Sequence, residues 1–267
     1  MTPPVALTIA GSDSGGGAGI QADLKTFAAF GCHGTSALTA VTAQNTRGVS
    51  RYVELEPDMV REQIDQVAED LHPKAVKTGM LASSAIIEAV AGAIEANGLR
   101  NLVVDPVMIA KGGHALLREE AVATLRSRLL PLADVLTPNI PEAEVLLDRA
   151  IRSREERERA ARDLVALGPR VVVVKGGHAD GDADDVVFDG TAVLWLPGSR
   201  INTEDSHGSG CTFSAAAAAG LARGLDRRDA LEEAKVFITG AIRHALRVGS
   251  GHGPVNPMWR LLPAQEA

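Results

Sequence analysis

The fold is decided by a run of four valines that leads into a lysine and two glycines, Val171-Val172-Val173-Val174-Lys175-Gly176-Gly177. A continuous run of β-branched residues is typical of a strand that is buried on both faces, whereas a half-exposed strand alternates apolar and polar side chains. The two glycines favour a tight loop directly after the lysine. The segment therefore predicts a parallel sheet covered by helices on both sides, with Lys175 at the carboxyl end of a strand.

Short apolar runs alternate with longer helical patterns through most of the chain. The predicted strands, each with the helix that follows it, are 5–10 with 18–30, 75–78 with 83–97, 102–105 with 118–130, and 135–137 with 141–147. Such alternation indicates βαβ units around a parallel sheet. Residues 35–54 and 185–196 differ, because each has the pattern of extended chain around a turn. We therefore expect one α/β domain over residues 1–267, with a mostly parallel central sheet, helices on both faces and small antiparallel flap strands.

Charge and cysteine content exclude several classes of protein. The chain has 27 Lys and Arg against 34 Asp and Glu, a net charge of −7. Nucleic acid is therefore not expected as the main partner, because phosphate backbones require stripes of basic residues. The longest uncharged stretch, residues 26–46, is broken by glycine and polar residues, so no membrane span is expected. The chain contains 2 cysteines, Cys32 and Cys211, too few for a disulfide framework, which predicts a cytoplasmic protein.

A first glycine-rich segment, Gly11-Ser12-Asp13-Ser14-Gly15-Gly16-Gly17-Ala18-Gly19, lies between a predicted strand and a predicted helix. Glycines there allow close approach of a ligand, and the helix start favours anions. The spacing also fits a dinucleotide site, which would make the protein a nicotinamide-dependent oxidoreductase. That hypothesis requires an acidic residue about 20 residues further on, and residues 39–44 contain none. An ordinary tight turn remains an alternative.

A second glycine-rich segment, Ser206-His207-Gly208-Ser209-Gly210-Cys211-Thr212-Phe213-Ser214, precedes an alanine-rich helical pattern. Gly208 and Gly210 would let several backbone N–H groups converge into an anion hole for phosphoryl oxygens. Cys211 would lie on the first helical turn, where the helix dipole lowers the pKa of a thiol. A glycine-rich turn with a buried thiol is the alternative. For His207, a hydrogen bond that fixes the loop is favoured over a role as catalytic base.

Polar side chains follow three of the predicted strands. Asp105 closes one strand, Asn139 and Glu142 follow the next in an N-x-x-E arrangement, and Lys175 ends the valine run. Ligands of open α/β sheets bind at the carboxyl ends of the strands. Two carboxylates and an amide oxygen suit Mg²⁺, and a nearby lysine suits phosphate. These positions predict a site for a metal-bound phosphate.

Several longer motifs carry a resemblance to a known family. They are Ala6-Leu7-Thr8-Ile9-Ala10-Gly11-Ser12-Asp13, Gly16-Gly17-Ala18-Gly19-Ile20-Gln21-Ala22-Asp23, Thr42-Ala43-Gln44-Asn45-Thr46, Lys77-Thr78-Gly79-Met80-Leu81, Asp105-Pro106-Val107-Met108, Thr137-Pro138-Asn139, Lys175-Gly176-Gly177-His178, His207-Gly208-Ser209-Gly210-Cys211-Thr212 and Gly251-His252-Gly253-Pro254. Together they resemble the bifunctional hydroxymethylpyrimidine/phosphomethylpyrimidine kinases of thiamine biosynthesis. The resemblance implies a ribokinase-like fold without the large lid of sugar kinases, and Mg²⁺ with ATP as the phosphoryl donor.

The resemblance also implies roles for individual residues. The pyrimidine pocket would be lined by Gly11, Asp23, Gln44, Met80, Val107 and Cys211. Mg²⁺ would be held by Asp105 and Glu142, and the ATP phosphates would face Asn139, Lys175 and Lys235. The anion hole would be formed by Gly208, Ser209, Gly210 and Cys211. Ser209 stands where threonine is usual, and the acidic pair Glu204-Asp205 before the loop is a departure whose role the sequence does not indicate.

The chemistry of two of these residues agrees with the implied substrate. The Gln44 carboxamide offers one donor and one acceptor, the complement of an aminopyrimidine edge and the means by which glutamine recognises adenine. Cys211 stands where related sugar kinases carry aspartate, and a neutral thiol would not repel the dianionic monophosphate of a second phosphorylation. A pyridoxine or pyridoxal kinase of the same fold is the alternative, and a non-catalytic binding protein is disfavoured. Exposed flap strands also predict a homodimer.

Overall fold

The structure is a computed structural model, and it describes residues 2–108, 116–179 and 181–261, apart from the side chain of Glu119. The expected domain of residues 1–267 is thus described except for residues 1, 109–115, 180 and 262–267. Every residue predicted above for the site falls within the described part.

The strands follow the predicted apolar runs closely. They are β1 (Val5–Ala10), β2 (His33–Leu38), β3 (Ala40–Asn45), β4 (Gly48–Glu54), β5 (Ala75–Thr78), β6 (Leu102–Val104), β7 (Val135–Leu136), β8 (Val171–Val174), β9 (Asp185–Phe188) and β10 (Val193–Leu196). The main sheet has the order β10-β9-β8-β7-β6-β5-β1-β2. Each valine of β8 is buried, as the deciding run predicts for a strand covered on both faces.

Strand directions confirm a mostly parallel sheet. From β8 to β2 every neighbouring pair is parallel, whereas β9 pairs antiparallel with both β8 and β10. Strands β3 and β4 form a separate antiparallel pair joined by a turn at Thr46 and Arg47. Residues 40–54 and 185–196 therefore form antiparallel strands as the sequence predicts, whereas residues 35–38 of the first segment belong to β2, which pairs parallel with β1 in the main sheet.

Helices cover both faces of the sheet. They are α1 (Gly19–Ala29), α2 (Pro57–Leu71), α3 (Ser84–Ala96), α4 (Glu119–Thr124), α5 (Ile140–Leu147), α6 (Arg154–Val165), α7 (Ser209–Ala222) and α8 (Arg227–Arg243). One core lies between the sheet and helices α2 to α6, and a second lies between the opposite face and helices α1, α7 and α8. Among the helices of the described residues, none combines the length and the apolar character that crossing a membrane requires.

Helix α7 is the buried centre of the second layer. Residues from Thr212 to Ala222 are buried, and the five alanines from Ala215 to Ala219 have no exposed surface. Small side chains let the helix lie close to β1, β5 and β6 on one side and to α8 on the other. The first turn of α7 is consequently held in place beside the strands of the main sheet.

The order of the strands also locates the site. The sheet extends from β1 to β2 on one side and from β1 through β5 to β8 on the other. Open α/β sheets bind ligands outside the carboxyl ends of the strands at such a switch in direction. The loops after β1 and β5, together with the start of α7, are thus expected to surround a ligand.

Candidate active site

A cavity of about 670 Å³ lies at the carboxyl ends of the parallel strands, a size typical of small-molecule sites. All but one of the predicted site residues line it. They are Gly11, Gln44, Met80, Asp105, Val107, Asn139, Glu142, Lys175, Gly208, Ser209, Gly210, Cys211 and Lys235. Asp23, the exception, lies behind the cavity wall and has no exposed surface.

Lys175 and Asp105 meet inside the cavity, although β7 lies between the two strands that they follow. Lys175 Nζ lies 2.9 Å from Asp105 Oδ1, and Asp105 is 2% exposed. Burial lowers the pKa of Lys175, but the charges of Asp105 and Glu142 outweigh this effect and raise it. The site therefore keeps a fixed positive charge between two carboxyl groups, as the three strand ends predict.

Asn139 and Glu142 form a capping box at the start of α5. Asn139 Oδ1 accepts a hydrogen bond from the Glu142 backbone N–H at 2.9 Å, and Glu142 Oε2 accepts one from the Asn139 N–H at 2.8 Å. Burial raises the pKa of Glu142 to about 7, although Lys175 acts in the opposite direction. The N-x-x-E spacing thus has a local structural purpose that fixes both side chains in the cavity wall.

The loop before α7 has the geometry of an anion hole. Gly208 has φ of +77°, which favours glycine, and a Cβ there would overlap the carbonyl group of Gly17. The N–H groups of Gly210 and Cys211 lie in the first turn and have no carbonyl partner within the helix. A Cβ on Gly210 would lie 3.3 Å from Lys175 Nζ. The free N–H groups and the lysine can therefore act on the same anion.

The expected low pKa of Cys211 is wrong. Burial raises the pKa of this thiol to about 11, and the nearby positive charge of Lys77 compensates only in part. A helix start stabilises a thiolate. Burial removes the hydration of the thiolate, however, and this costs more free energy than the helix dipole provides. Cys211 is consequently neutral around pH 7.

Asp23 forms a buried ion pair with Lys77. Lys77 Nζ lies 2.8 Å from Asp23 Oδ2, and neither side chain is exposed. Thr8 Oγ1 donates to the same oxygen at 2.6 Å. Burial lowers the pKa of Lys77, but the Asp23 charge and its neighbours outweigh this and raise it. Lys77 borders the cavity, so Asp23 acts on the cavity through the lysine that it holds.

Lys235 borders the cavity, but its ammonium group is engaged by the protein. It donates to the carbonyl oxygen of Ala183 at 2.6 Å and to Asp185 Oδ2 at 2.8 Å. Asp185 Oδ1 in turn accepts the N–H of Gly176 at 2.8 Å. Lys235 therefore ties the loop after β8 to the start of β9.

The glycine-rich loop after β1 is organised by Asp13. Its carboxylate accepts hydrogen bonds from the backbone N–H groups of Gly15, Gly17 and Ala18 and lies 2.9 Å from His207 Nε2. His207 is therefore a loop-fixing residue, as its position before a glycine turn predicts. Gln44 Nε2 lies 3.3 Å from the same histidine nitrogen.

Sequence reasoning assigned no role to Asp13 or Lys77. An aspartate inside a glycine-rich loop is a signal for several N–H donors, and a lysine in a short strand of otherwise uncharged residues, β5, is a signal for a buried partner. Of the acidic pair Glu204-Asp205, the second residue now has a role. Asp205 Oδ1 accepts the Gly253 N–H at 2.9 Å and holds the glycine-rich tail against the loop before α7.

Fold and site together define a class of enzyme. A mostly parallel sheet, an anion hole at a helix start and a lysine between two carboxyl groups are the parts of a small-molecule phosphotransferase with the ribokinase-like fold. The sequence model described as phosphomethylpyrimidine kinase matches residues 13–256. The chain belongs to the phosphomethylpyrimidine kinase family.

Individual relatives agree with this assignment. Hydroxymethylpyrimidine/phosphomethylpyrimidine kinase of Bacillus subtilis (strain 168) is 52% identical over 253 residues, 94% of this chain and 93% of the relative. A crystal structure of phosphomethylpyrimidine kinase from Clostridium difficile 630 is 43% identical with a TM-score of 0.80, over 90% of this chain and 99% of the other. An ADP complex of Bacillus subtilis pyridoxal kinase is 39% identical with a TM-score of 0.91, and the match covers 98% of this chain and 100% of the other.

Proposed function

We propose that the protein phosphorylates 4-amino-5-hydroxymethyl-2-methylpyrimidine with ATP and then phosphorylates the monophosphate to the diphosphate, as a step of thiamine biosynthesis. The observation that carries this proposal is the position of the α7 anion hole beside the Lys175–Asp105 pair, in the same cavity as Gln44. One cavity thus holds groups suited to a transferring phosphoryl group and a carboxamide suited to an aminopyrimidine.

Phosphoryl transfer needs little covalent help from the protein, because its transition state is loose and carries negative charge on the phosphoryl oxygens. The acceptor oxygen forms a bond to the γ-phosphorus while the bond from that phosphorus to the bridging oxygen of ADP breaks, and the hydroxyl proton of the alcohol acceptor is released to water. The N–H groups of Gly210 and Cys211 and the ammonium group of Lys175 stabilise the charge on these oxygens. Gly208 and Ser209 hold the loop in the conformation that presents these donors.

Asp105 and Glu142 fit a hydrated Mg²⁺ that arrives with ATP. Both are carboxyl groups at one edge of the cavity, and oxygen donors are what this ion prefers. The raised pKa of Glu142, about 7, shows a buried carboxyl group that a nearby cation would favour in its ionised form. The ion would supply neutralisation of phosphate charge, and Asp105 and Glu142 would hold it through its water molecules.

ATP would lie on the side of the cavity formed by the ends of β7 and β8. There, Asn139 and Lys175 face the phosphates. Lys235 would act on the nucleotide through the loop that it fixes, because its ammonium group already has two protein acceptors. The resemblance implies that Lys235 contacts the phosphates directly, whereas here it would act by holding the loop in place.

The acceptor would lie on the side of the cavity formed by the ends of β1 and β5. Gly11, Met80 and Val107 provide apolar walls for the ring, and Gln44 provides the polar contact. A Cβ on Gly11 would lie 3.1 Å from the Met80 sulfur, so glycine at this position keeps room for a flat ring. Asp23 would contribute by fixing Lys77 at the floor.

Phosphorus NMR of a reaction containing the protein, Mg²⁺, ATP and the pyrimidine alcohol tests the proposal. We expect a phosphomonoester signal to appear first and a pyrophosphate ester signal to replace it. If ATP is consumed only after pyridoxal replaces the pyrimidine, the protein is a pyridoxal kinase of the same fold.

We propose further that the protein is a cytoplasmic homodimer whose two chains, each one domain, meet through the flap. Val41 and Val53 are paired across β3 and β4 and are 47% and 53% exposed. An apolar patch on a short antiparallel pair is a typical contact for a second chain. Sedimentation equilibrium should give a dimer, and Val41→Glu should give a monomer. A monomeric wild-type protein contradicts this part of the proposal.

A further inference from the structure

The carboxamide of Gln44 has two polar neighbours whose hydrogens decide its orientation. Gln44 Nε2 lies 3.3 Å from His207 Nε2, and Gln44 Oε1 lies 3.4 Å from Thr42 Oγ1. An amide nitrogen only donates hydrogen bonds and an amide oxygen only accepts them. Whether either contact is a hydrogen bond therefore depends on where the hydrogens of His207 and Thr42 point.

The hydroxyl hydrogen of Thr42 is already used. Thr42 Oγ1 donates to the carbonyl oxygen of Ser12 at 2.8 Å. A threonine hydroxyl has one hydrogen, so towards Gln44 it offers only a lone pair. The group of Gln44 that Thr42 can bind is consequently a donor, the amide nitrogen.

The hydrogen on His207 Nε2 is fixed by Asp13. These two groups are 2.9 Å apart. Burial raises the pKa of Asp13, but the hydrogen bond and charge of His207 and the loop N–H groups outweigh burial and leave the pKa below its ordinary value. An ionised carboxylate only accepts, so His207 Nε2 must carry a hydrogen. The group of Gln44 that His207 can bind is an acceptor, the amide oxygen.

We propose that His207, oriented by Asp13, is a positioning residue that fixes the Gln44 carboxamide with its oxygen towards His207 and its nitrogen towards Thr42. This orientation exchanges the amide oxygen and nitrogen relative to the positions given above: the oxygen shares the His207 N–H with Asp13, and the nitrogen donates to Thr42 Oγ1. The opposite orientation sets two donors against each other at one end and two acceptors at the other.

This orientation decides which way round an aminopyrimidine binds. An amide oxygen has a second lone pair and an amide nitrogen a second hydrogen, so one acceptor and one donor remain for a ligand. The 4-amino group of the pyrimidine donates to the oxygen, and the adjacent ring nitrogen accepts from the nitrogen. The oxygen is on the His207 side, next to Gly208 in the chain. The 5-hydroxymethyl group, which neighbours the 4-amino group, then lies towards the anion hole.

The test compares two acceptors with opposite hydrogen-bonding edges, and its interpretation rests on the proposed function. In the 4-oxo analogue of the pyrimidine alcohol, the ring N–H donates and the carbonyl oxygen accepts. We measure kcat/KM for both acceptors in the wild type, His207→Phe and His207→Gln. Phenylalanine keeps the ring against Gly17 without a hydrogen, whereas glutamine returns an N–H donor. His244→Phe is the matched control, because His244 lies at the end of α8 and stacks on Trp259.

We expect His207→Phe to lower the preference for the 4-amino acceptor at least about 10-fold, since a freely turning amide also fits the 4-oxo edge. His207→Gln should keep the preference within about 3-fold of wild type, and His244→Phe should not change it. An equal loss for both acceptors in His207→Phe would mean that the residue only maintains the loop, and would overturn the inference. If the wild type phosphorylates neither pyrimidine, the proposed function itself is wrong. This outcome is visible in the wild type alone and is therefore distinct from a failure of the inference about His207.

Discussion

Gly208 lies directly against Gly17, so that a Cβ on Gly208 would overlap the Gly17 carbonyl group. The two glycine-rich segments are almost 200 residues apart in the chain, yet they form one continuous backbone surface at the cavity. A Cβ on Gly17 would in turn lie 2.6 Å from the His207 ring. The glycines of these two segments are therefore partly a packing requirement between the loops, in addition to the access that they give to phosphates.

The first prediction concerns this contact. Gly208→Ala should lower kcat/KM at least about 100-fold, because the anion hole would move by roughly an ångström. Gly224→Ala is the control: Gly224 also has positive φ, +91°, but its Cβ would meet nothing within 4 Å. It should cost about 1 kcal/mol of stability through backbone strain alone and leave kcat/KM unchanged. Equal kinetic losses in both variants would contradict a role for the close approach.

The second prediction concerns the stability of the ligand-free protein as a function of pH. The pKa of Glu142 rises from 4.5 to about 7 on folding. The folded state therefore binds the proton more tightly, and the stability from the neutral form is complete below pH 4.5 and lost as pH rises through 7. Glu142→Gln stays neutral, so urea unfolding should show the variant gaining up to about 3 kcal/mol relative to wild type between pH 4.5 and 8.5.

Glu156→Gln is the matched control for that experiment. Glu156 occupies the same capping-box position at the start of α6, but its pKa is lowered by hydrogen bonds from the Arg152 and Ser153 backbone. Its contribution is fully present above its unfolded pKa of 4.5 and is lost only below that pH, so the stability of this variant relative to wild type should change little between pH 4.5 and 8.5. A flat difference between wild type and Glu142→Gln over the whole range would refute the burial of an ionisable Glu142.

The third prediction concerns the Asp23–Lys77 pair. Lys77→Met leaves a carboxylate without its partner in a buried position, and it should lower the free energy of unfolding by about 3–5 kcal/mol. The double variant Asp23→Asn with Lys77→Met removes both charges and should recover at least about 1 kcal/mol of that loss. Chemical denaturation of the four proteins of the cycle measures the coupling. Strictly additive losses would show that the two charges do not depend on each other.

The fourth prediction concerns the charge at position 211. The wild-type thiol is neutral near pH 7, because its pKa is about 11. Cys211→Asp adds a carboxylate beside the anion hole, which repels a monophosphate acceptor more than an alcohol. The variant should therefore lose at least about 10-fold more kcat/KM in the second phosphorylation than in the first. Cys211→Ser keeps the site neutral and should affect both steps alike. Equal losses of kcat/KM in the two steps for Cys211→Asp would contradict the proposal that a neutral residue at position 211 is needed for the monophosphate acceptor.

The sequence allowed the sheet and the edge that holds the site to be predicted, because both follow from local patterns. Apolar runs such as Val171–Val174 form strands wherever they are long enough to be buried, and polar residues after parallel strands meet at one edge. Helix α2 is not among the helices predicted from the sequence. It nevertheless has a local signal, Pro57 at its first position.

What could not be predicted depends on contacts between distant segments. Asp23 and Lys77 are 54 residues apart, so the sequence offers no reason to place one behind the other. The pKa of Cys211 depends on the helix start, which is a local feature, and on burial, which depends on tertiary packing. The effect of burial on the pKa is larger. Asn139 and Glu142 have the same spacing as the capping box of Ser153 and Glu156, so their structural role could have been recognised beside the chemical one.

The most direct test of the central claim is ATP turnover with three acceptors assayed in parallel: the pyrimidine alcohol, its monophosphate and pyridoxal. We predict turnover with both pyrimidines and a kcat/KM for pyridoxal at least about 10-fold lower than for the alcohol, because pyridoxal lacks the aminopyrimidine edge that Gln44 binds. Turnover with pyridoxal and with neither pyrimidine would contradict the account.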